Sequence, residues 1–152
     1  MFTDVAGFSD PVRTDGDRDA EQQYRDILAD RQRILGPSHP DTLTARQDVA
    51  RMLGLQRRYA EAEQLSREVL ADRRRLLGDD HPDTLTSRAT LARLVGRQGR
   101  RAEAEELYRQ VIADRTRVLG AHHPDTAAVR NELAQAVTAV MGADRGTASG
   151  VS

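Results

Sequence analysis

The feature that most constrains this chain is a pattern that returns every 42 residues. His39-Pro40-Asp41-Thr42-Leu43 recurs as His81-Pro82-Asp83-Thr84-Leu85, and again as His123-Pro124-Asp125-Thr126-Ala127. A second marker keeps the same step: Ala29-Asp30-Arg31, Ala71-Asp72-Arg73 and Ala113-Asp114-Arg115. Each is followed by an apolar pair and a glycine, Gly36, Gly78 or Gly120. Residues 20–61 align with 62–103 without a gap, at 25 identities in 42 positions. Such self-similarity specifies a tandem array, in which one supersecondary unit stacks on the next.

Each unit reads as two helices, A and then B. Helix A starts at His-Pro-Asp-Thr, since Pro is pre-set for the first helical position and Asp suits the positive end of the helix dipole. Its apolar residues in the second full copy, Leu85, Leu91, Ala92, Leu94 and Val95, fall near helical spacing. It breaks between Gly96 and Gly99, as the preceding copy breaks between Gly54 and Arg58. Helix B spans about Arg101 to Leu119, and Gly120 stands where a left-handed C-terminal cap is expected. Neither helix buries its stripe alone, so the expected fold is an all-α helical-repeat solenoid. It has about six antiparallel helices in the order B, A-B, A-B, A. Residues 1–19 are an N-terminal extension, 20–141 the array, and 142–152 a disordered tail.

Composition excludes several functions. With 152 residues, 38% hydrophobic and 3% aromatic, the chain suits one domain with a core of Leu, Val, Ile and Ala. Its 23 basic and 24 acidic residues nearly cancel, which argues against a nucleic-acid or anionic-membrane partner. There is no Cys, so disulfides, thiolate nucleophiles and Cys-based metal sites are excluded. There is no Lys, so a P-loop or Schiff-base lysine is excluded too. No signal peptide or apolar run of about 20 residues is seen, and a cytoplasmic address is expected.

The Leu-Gly…His-Pro-Asp-Thr-Leu junction, the Leu91-Ala92 pair and Gly99-Arg100-Arg101-Ala102-Glu103-Ala104-Glu105 together resemble tetratricopeptide repeats. The likeness is to the 42-residue kind of kinesin light chains and many bacterial proteins, and covers about residues 20–141. It implies antiparallel helix pairs in a right-handed superhelix whose inner face is lined by the A helices. It also implies binding of a protein or peptide, without catalysis or cofactor. Peptide-gripping members commonly carry Asn just before the apolar-Ala pair of helix A; here those positions hold Asp48, Thr90 and Glu132. Acidic residues there would repel an acidic peptide, with Arg51 and Arg93 placed to offset them. The expected partner-facing residues are Gln47, Asp48, Arg51, Ala89, Thr90, Arg93, Arg97, Asn131 and Gln135. The competing reading is an ordinary solvated helix face.

The register begins with a B helix and ends with an A helix, leaving apolar residues Leu133, Val137, Val140 and Met141 for a second expectation. Self-association through these terminal helices would make the chain a homo-oligomeric structural unit; the alternative is that small side chains make the ends tolerable. Residues 1–9 also resemble the opening strand of class III nucleotidyl cyclase domains, which would make Asp4 a metal ligand. One carboxylate cannot hold the paired magnesium ions of phosphoryl chemistry, so the segment reads as a relic or a chance match. Phe2, Val5 and Phe8 would then be free to lie over the first helix.

His39, His81 and His123 recur at fixed spacing, but successive units lie about 16–20 Å apart, two helix packing steps. Zinc ligands must sit about 2 Å from one ion, so helix-start hydrogen bonding is the better account. The Arg73-Arg74-Arg75 cluster is flanked by Asp72, Asp79 and Asp80, and Arg97 with Arg100-Arg101 is followed by Glu103, Glu105 and Glu106. Interleaved charge of this kind reads as a solvated face with intramolecular pairs rather than as phosphate contacts.

Overall fold

A computed structural model of the chain describes residues 15–148, with burial and side-chain contacts as far as Thr138. Six helices follow in order: α1 (Asp15–Leu35), α2 (Pro40–Leu55), α3 (Tyr59–Leu77), α4 (Pro82–Arg97), α5 (Arg101–Leu119) and α6 (Pro124–Ala148). Among the described residues there is no strand. The order is the expected one, with α2, α4 and α6 as A helices and α1, α3 and α5 as B helices. Within each unit, loops of three or four residues, such as 36–39 and 98–100, return a helix antiparallel to the one before it. Phe2, Asp4, Val5 and Phe8 lie outside the described residues, as do the side chains of Val140 and Met141.

The start of every A helix is the same device. Nδ1 of His39, His81 and His123 accepts the backbone N–H of Asp41, Asp83 and Asp125, each at 3.1 Å. His39 and His81 have extended backbones, and Pro follows each in the first turn. Imidazole thus fills the place usually taken by Ser, Thr, Asp or Asn, satisfying one donor that the helix cannot pair internally.

The chain divides into two compact units, with the boundary between Asp72 and Arg73 inside α3. In the first, Leu43, Val49 and Ala50 of α2 are fully buried, together with Ala62 and Val69 of α3. Arg31 of α1 donates to the carbonyl of Asp41 at 3.2 Å. Arg46 of α2 pairs with Asp72 at 2.8 Å and Glu68 at 3.3 Å. Glu21 is buried between two cations, with Arg58 at 3.0 Å and Arg25 at 3.0 Å.

The second unit repeats these contacts on α4, α5 and α6. Leu85, Ala92, Val95 and Val111 are fully buried, and Val129 nearly so. Arg73 donates to the Asp83 carbonyl at 3.1 Å and to Ser87 Oγ at 2.7 Å. Arg115 donates to the Asp125 carbonyl at 3.0 Å and Thr86 Oγ1 at 3.3 Å. Arg88 pairs with Asp114 as Arg46 does with Asp72. The recurring Ala-Asp-Arg marker is therefore a junction element: its Arg ties a B helix to the first turn of the next A helix. Burial lowers the affinity of Arg115 for its proton, opposed by the nearby charges of Asp125 and Glu132.

Two boundaries and the form of one cap differ from the expected ones. α1 starts at Asp15, inside the presumed extension, where Asp15 and Asp17 favour the positive helix end. α6 runs to Ala148, into the segment expected to be disordered, because extending a formed helix is far less costly than nucleating one. Gly120 does take positive φ (99°), but its ψ of 156° is extended rather than left-handed helical. Arg74 leaves the basic cluster to pair with Asp79 at 3.0 Å, while Arg73 is buried.

Two stability changes follow from this geometry. His81→Ala should cost about 1 kcal/mol in urea unfolding, and His81→Asn should retain most of the cap. Arg57 has φ of 63° at the loop position where the next copy has Gly99, at 84°. A left-handed conformation costs an L-residue about 1–2 kcal/mol, partly offset by the greater unfolded-state freedom of Gly. Arg57→Gly should therefore raise the unfolding midpoint; a fall would show that the Arg57 side chain stabilises the loop.

Candidate functional site

The second unit holds a cleft of about 390 Å³ walled by three helices. α4 contributes Arg93, Gly96 and Arg97; α5 contributes Arg101, Ala104, Glu105 and Tyr108; α6 contributes Glu132, Gln135 and Ala136. Beneath it Ala89, Ala92, Tyr108, Val111 and Val129 form one buried cluster, flanked by Leu107, Ile112 and Leu133. Small residues bring α4 and α5 together: a Cβ on Gly96 would stand 3.4 Å from that of Ala104.

A polar triad crosses the cleft. Arg93 Nη2 donates to Glu132 Oε1 at 2.7 Å and Arg93 Nε to Oε2 at 3.3 Å, a two-point pairing. The Tyr108 hydroxyl donates to Glu132 Oε2 at 3.3 Å. Burial, then the charge of Glu132, pushes the Tyr108 phenol up to about 12, against the opposing pull of Arg93. Glu132 is therefore not a bare negative charge, and the repulsion expected from an acid at this position is neutralised within the fold.

The remaining charges are unevenly committed. Glu105 is held by Arg109 at 3.2 Å. Arg97 and Arg101, both exposed on the cleft, make no ion pair among the described residues. A second, more open cleft behaves differently, since Arg74, Asp79, Asp80, Arg88, Asp114 and Arg117 line it and satisfy one another. Arg117 reaches Asp80 at 2.6 and 3.0 Å, which lowers the Asp80 carboxyl and raises the guanidinium. The hydrogen bond from Arg88 likewise lowers Asp114. Among the described residues no group of three His, Asp or Glu side chains is placed to hold a metal ion.

Of the nine residues expected to face a partner, Arg93, Arg97 and Gln135 line the first cleft. Thr90 is half-buried and bonded to its own helix at Thr86, and Asn131 is exposed outside the lining. In the first unit Arg51 and Asp48 pair with each other at 3.0 Å. Two residues sit elsewhere than expected. Gln47 is buried, its amide donating to Ser66 Oγ at 3.4 Å, and Ala89 belongs to the core cluster. Both point toward the neighbouring B helix because a one-residue step along a helix turns the side chain by about 100°. Leu133 packs against the core cluster and Val137 is half-buried. Tyr108 was not among the expected residues, and only the recurrence of Tyr at Tyr24, two repeats earlier, hinted at it. Arg101, read from the sequence as part of a solvated basic cluster with Arg97 and Arg100, lines the cleft instead.

The phenol makes the cleft pH-sensitive. A group whose folded value is raised contributes stability that is whole below its unfolded value, about 10 for Tyr, and lost as pH climbs through about 12. Unfolding measured between these limits should show a fall in stability that is smaller in Tyr108→Phe; equal slopes would place the phenol in water.

Comparison with known proteins places this geometry. The tetratricopeptide repeat family profile matches residues 15–74 and 48–117. Two crystal structures of nearly identical TPR-like repeats from a candidate kinesin light chain of Podosopora anserina superpose on the chain, one being a point variant of the other. Each has 31% sequence identity and a TM-score of 0.71, over 79% of this chain and 57% of the other. The chain thus spans little more than half the length of those arrays. The search of curated proteins returned no match.

Proposed function

The chain belongs to the tetratricopeptide repeat family, and from that premise we propose that it is a non-catalytic module holding a partner peptide or helix against its A helices. Repeats of this family generally mediate protein–protein interaction. The observation that carries the finer reading is the pair Arg97 and Arg101, cations left uncommitted at a cleft whose acids are already paired. A charged group with no internal partner remains solvated until a ligand replaces its water, so it favours a partner with an acidic side chain there. Arg93, Tyr108 and Glu132 supply a fixed floor, which lowers the ordering cost of binding. Tyr108 is protonated and engaged by Glu132, which suits recognition rather than proton transfer. In the first unit half-buried Asp48 and exposed Arg51 offer a polar pair on the corresponding face of α2. A cytoplasmic location goes with this reading; no helix among the described residues is long and apolar enough to cross a membrane.

Random peptides displayed on phage and selected on the whole chain test the proposal. Enriched sequences should carry Asp or Glu, and Arg97→Ala with Arg101→Ala should weaken them about tenfold or more, the loss of roughly one charge-assisted contact. Selection without acidic enrichment, or binding indifferent to both substitutions, would overturn it.

A further inference from the structure

We propose that copies of this chain assemble head to tail, α6 of one copy receiving α1 of a second copy to complete an A-B pair. The argument rests on equivalent positions that differ in burial. Ile27 of α1 is 45% exposed, whereas Val69 and Val111, one and two repeats later, are fully buried. Tyr24 is 36% exposed, whereas Ser66 and Tyr108 are buried. In α3 and α5 these positions face the A helix that precedes them: Ser66 bonds Gln47 of α2, and Tyr108 and Val111 cluster with Ala89 and Ala92 of α4.

The complementary half is on α6. Ala134 is exposed, while its equivalents Ala50 and Ala92 are fully buried beneath a B helix. Ala127 is likewise exposed where Leu43 and Leu85 are fully buried. α6 therefore presents the face that α2 and α4 cover with α3 and α5, and α1 presents the face that fits it.

Charge specifies the same occupant. Arg46 pairs with Asp72 and Glu68, and Arg88 with Asp114, each across an A-B pair. The third Arg of this series, Arg130, is exposed, and among the described residues it rests only on neutral acceptors, the Ala121 carbonyl at 3.0 Å and Thr116 Oγ1 at 3.5 Å. The acids 42 residues before Asp72 and Glu68 are Asp30 and Asp26 of α1. Among the described residues Asp30 holds only Arg33 of its own helix, at 3.5 Å, with both side chains exposed. In a second copy docked in the register of the repeat, Asp30 and Asp26 meet Arg130. The contact is heterologous, joining two different surfaces. It uses neither Arg97 nor Arg101, so its failure and the failure of peptide recognition are separate results.

Two exposed substitutions separate the halves. Ile27→Asp blocks the α1 face and leaves α6 intact; Ala134→Asp blocks α6 and leaves α1 intact. By light scattering on a sizing column over a hundredfold concentration range, the mass of the unsubstituted chain should climb. Each variant alone should stay monomeric, and an equimolar mixture should form a species of twice the monomer mass. Arg130→Glu should weaken assembly about tenfold or more, and Asp30→Arg in the same chain should restore it. A constant monomer mass for the unsubstituted chain, an Ala134→Asp chain that assembles alone, or a mixture that stays monomeric would each overturn the proposal.

Discussion

A guanidinium at each passage from a B helix to the next A helix holds the first turn of that A helix in place. Arg31, Arg73 and Arg115 each donate to a first-turn carbonyl, that of Asp41, Asp83 or Asp125. Arg73 and Arg115 are almost wholly buried, and a charge in that setting is tolerable only with acceptors in place. The carbonyls sit in the same turn that His39, His81 and His123 cap from the other side. Start of helix, direction of helix and distance to the preceding helix are thus fixed by one small polar assembly. The cleft inherits that geometry, since Arg115 locates α6, and α6 carries Glu132 and Gln135 to the cleft wall.

Around this frame the chain uses small residues where helices approach and charge where they need registering. Ala50, Ala62 and Ala92 are fully buried, and a Cβ on Gly96 would already touch that of Ala104, so backbones approach closely with few aromatic side chains. A core of that kind has little shape of its own to define register, because Ala and Val resemble one another from every side. The A-B ion pairs, Arg46 with Asp72 and Arg88 with Asp114, distinguish one register from its neighbours by like-charge or unpaired alternatives. Their contribution to stability is modest, since partly exposed pairs gain little net energy over hydration.

Near-neutral net charge conceals a sorted distribution. The open cleft lined by Asp80, Asp114, Arg88 and Arg117 spends every charge internally. The cleft above Tyr108 leaves two guanidiniums at its mouth and neutralises its acids at the floor. The same residue types therefore do structural work in one place and are left for recognition in another. What separates them is the presence of a carboxylate within reach, a property of position rather than of composition.

The sequence by itself determined the fold class, the helix order and most helix ends. The 42-residue register, Pro at the head of each A helix and His at its cap are local signals, acting within one turn of chain. Apolar periodicity added the direction of each helix's buried stripe, but its angular resolution is a residue or so, and Gln47 and Ala89 fell on the wrong side of it. Only tertiary structure decided which charges cancel. Glu132 reads as a repulsive acid beside Thr90 and Asp48 in the alignment, yet it is held by Arg93, 39 residues away, and by Tyr108 on another helix. Arg93 and Arg97 look alike on one helix face, yet Arg93 is held by Glu132 while Arg97 has no ion pair among the described residues. Ion pairing falls off over a few ångströms, and such distances between helices are set by the packing of all three together rather than by the neighbours of any one residue in the chain.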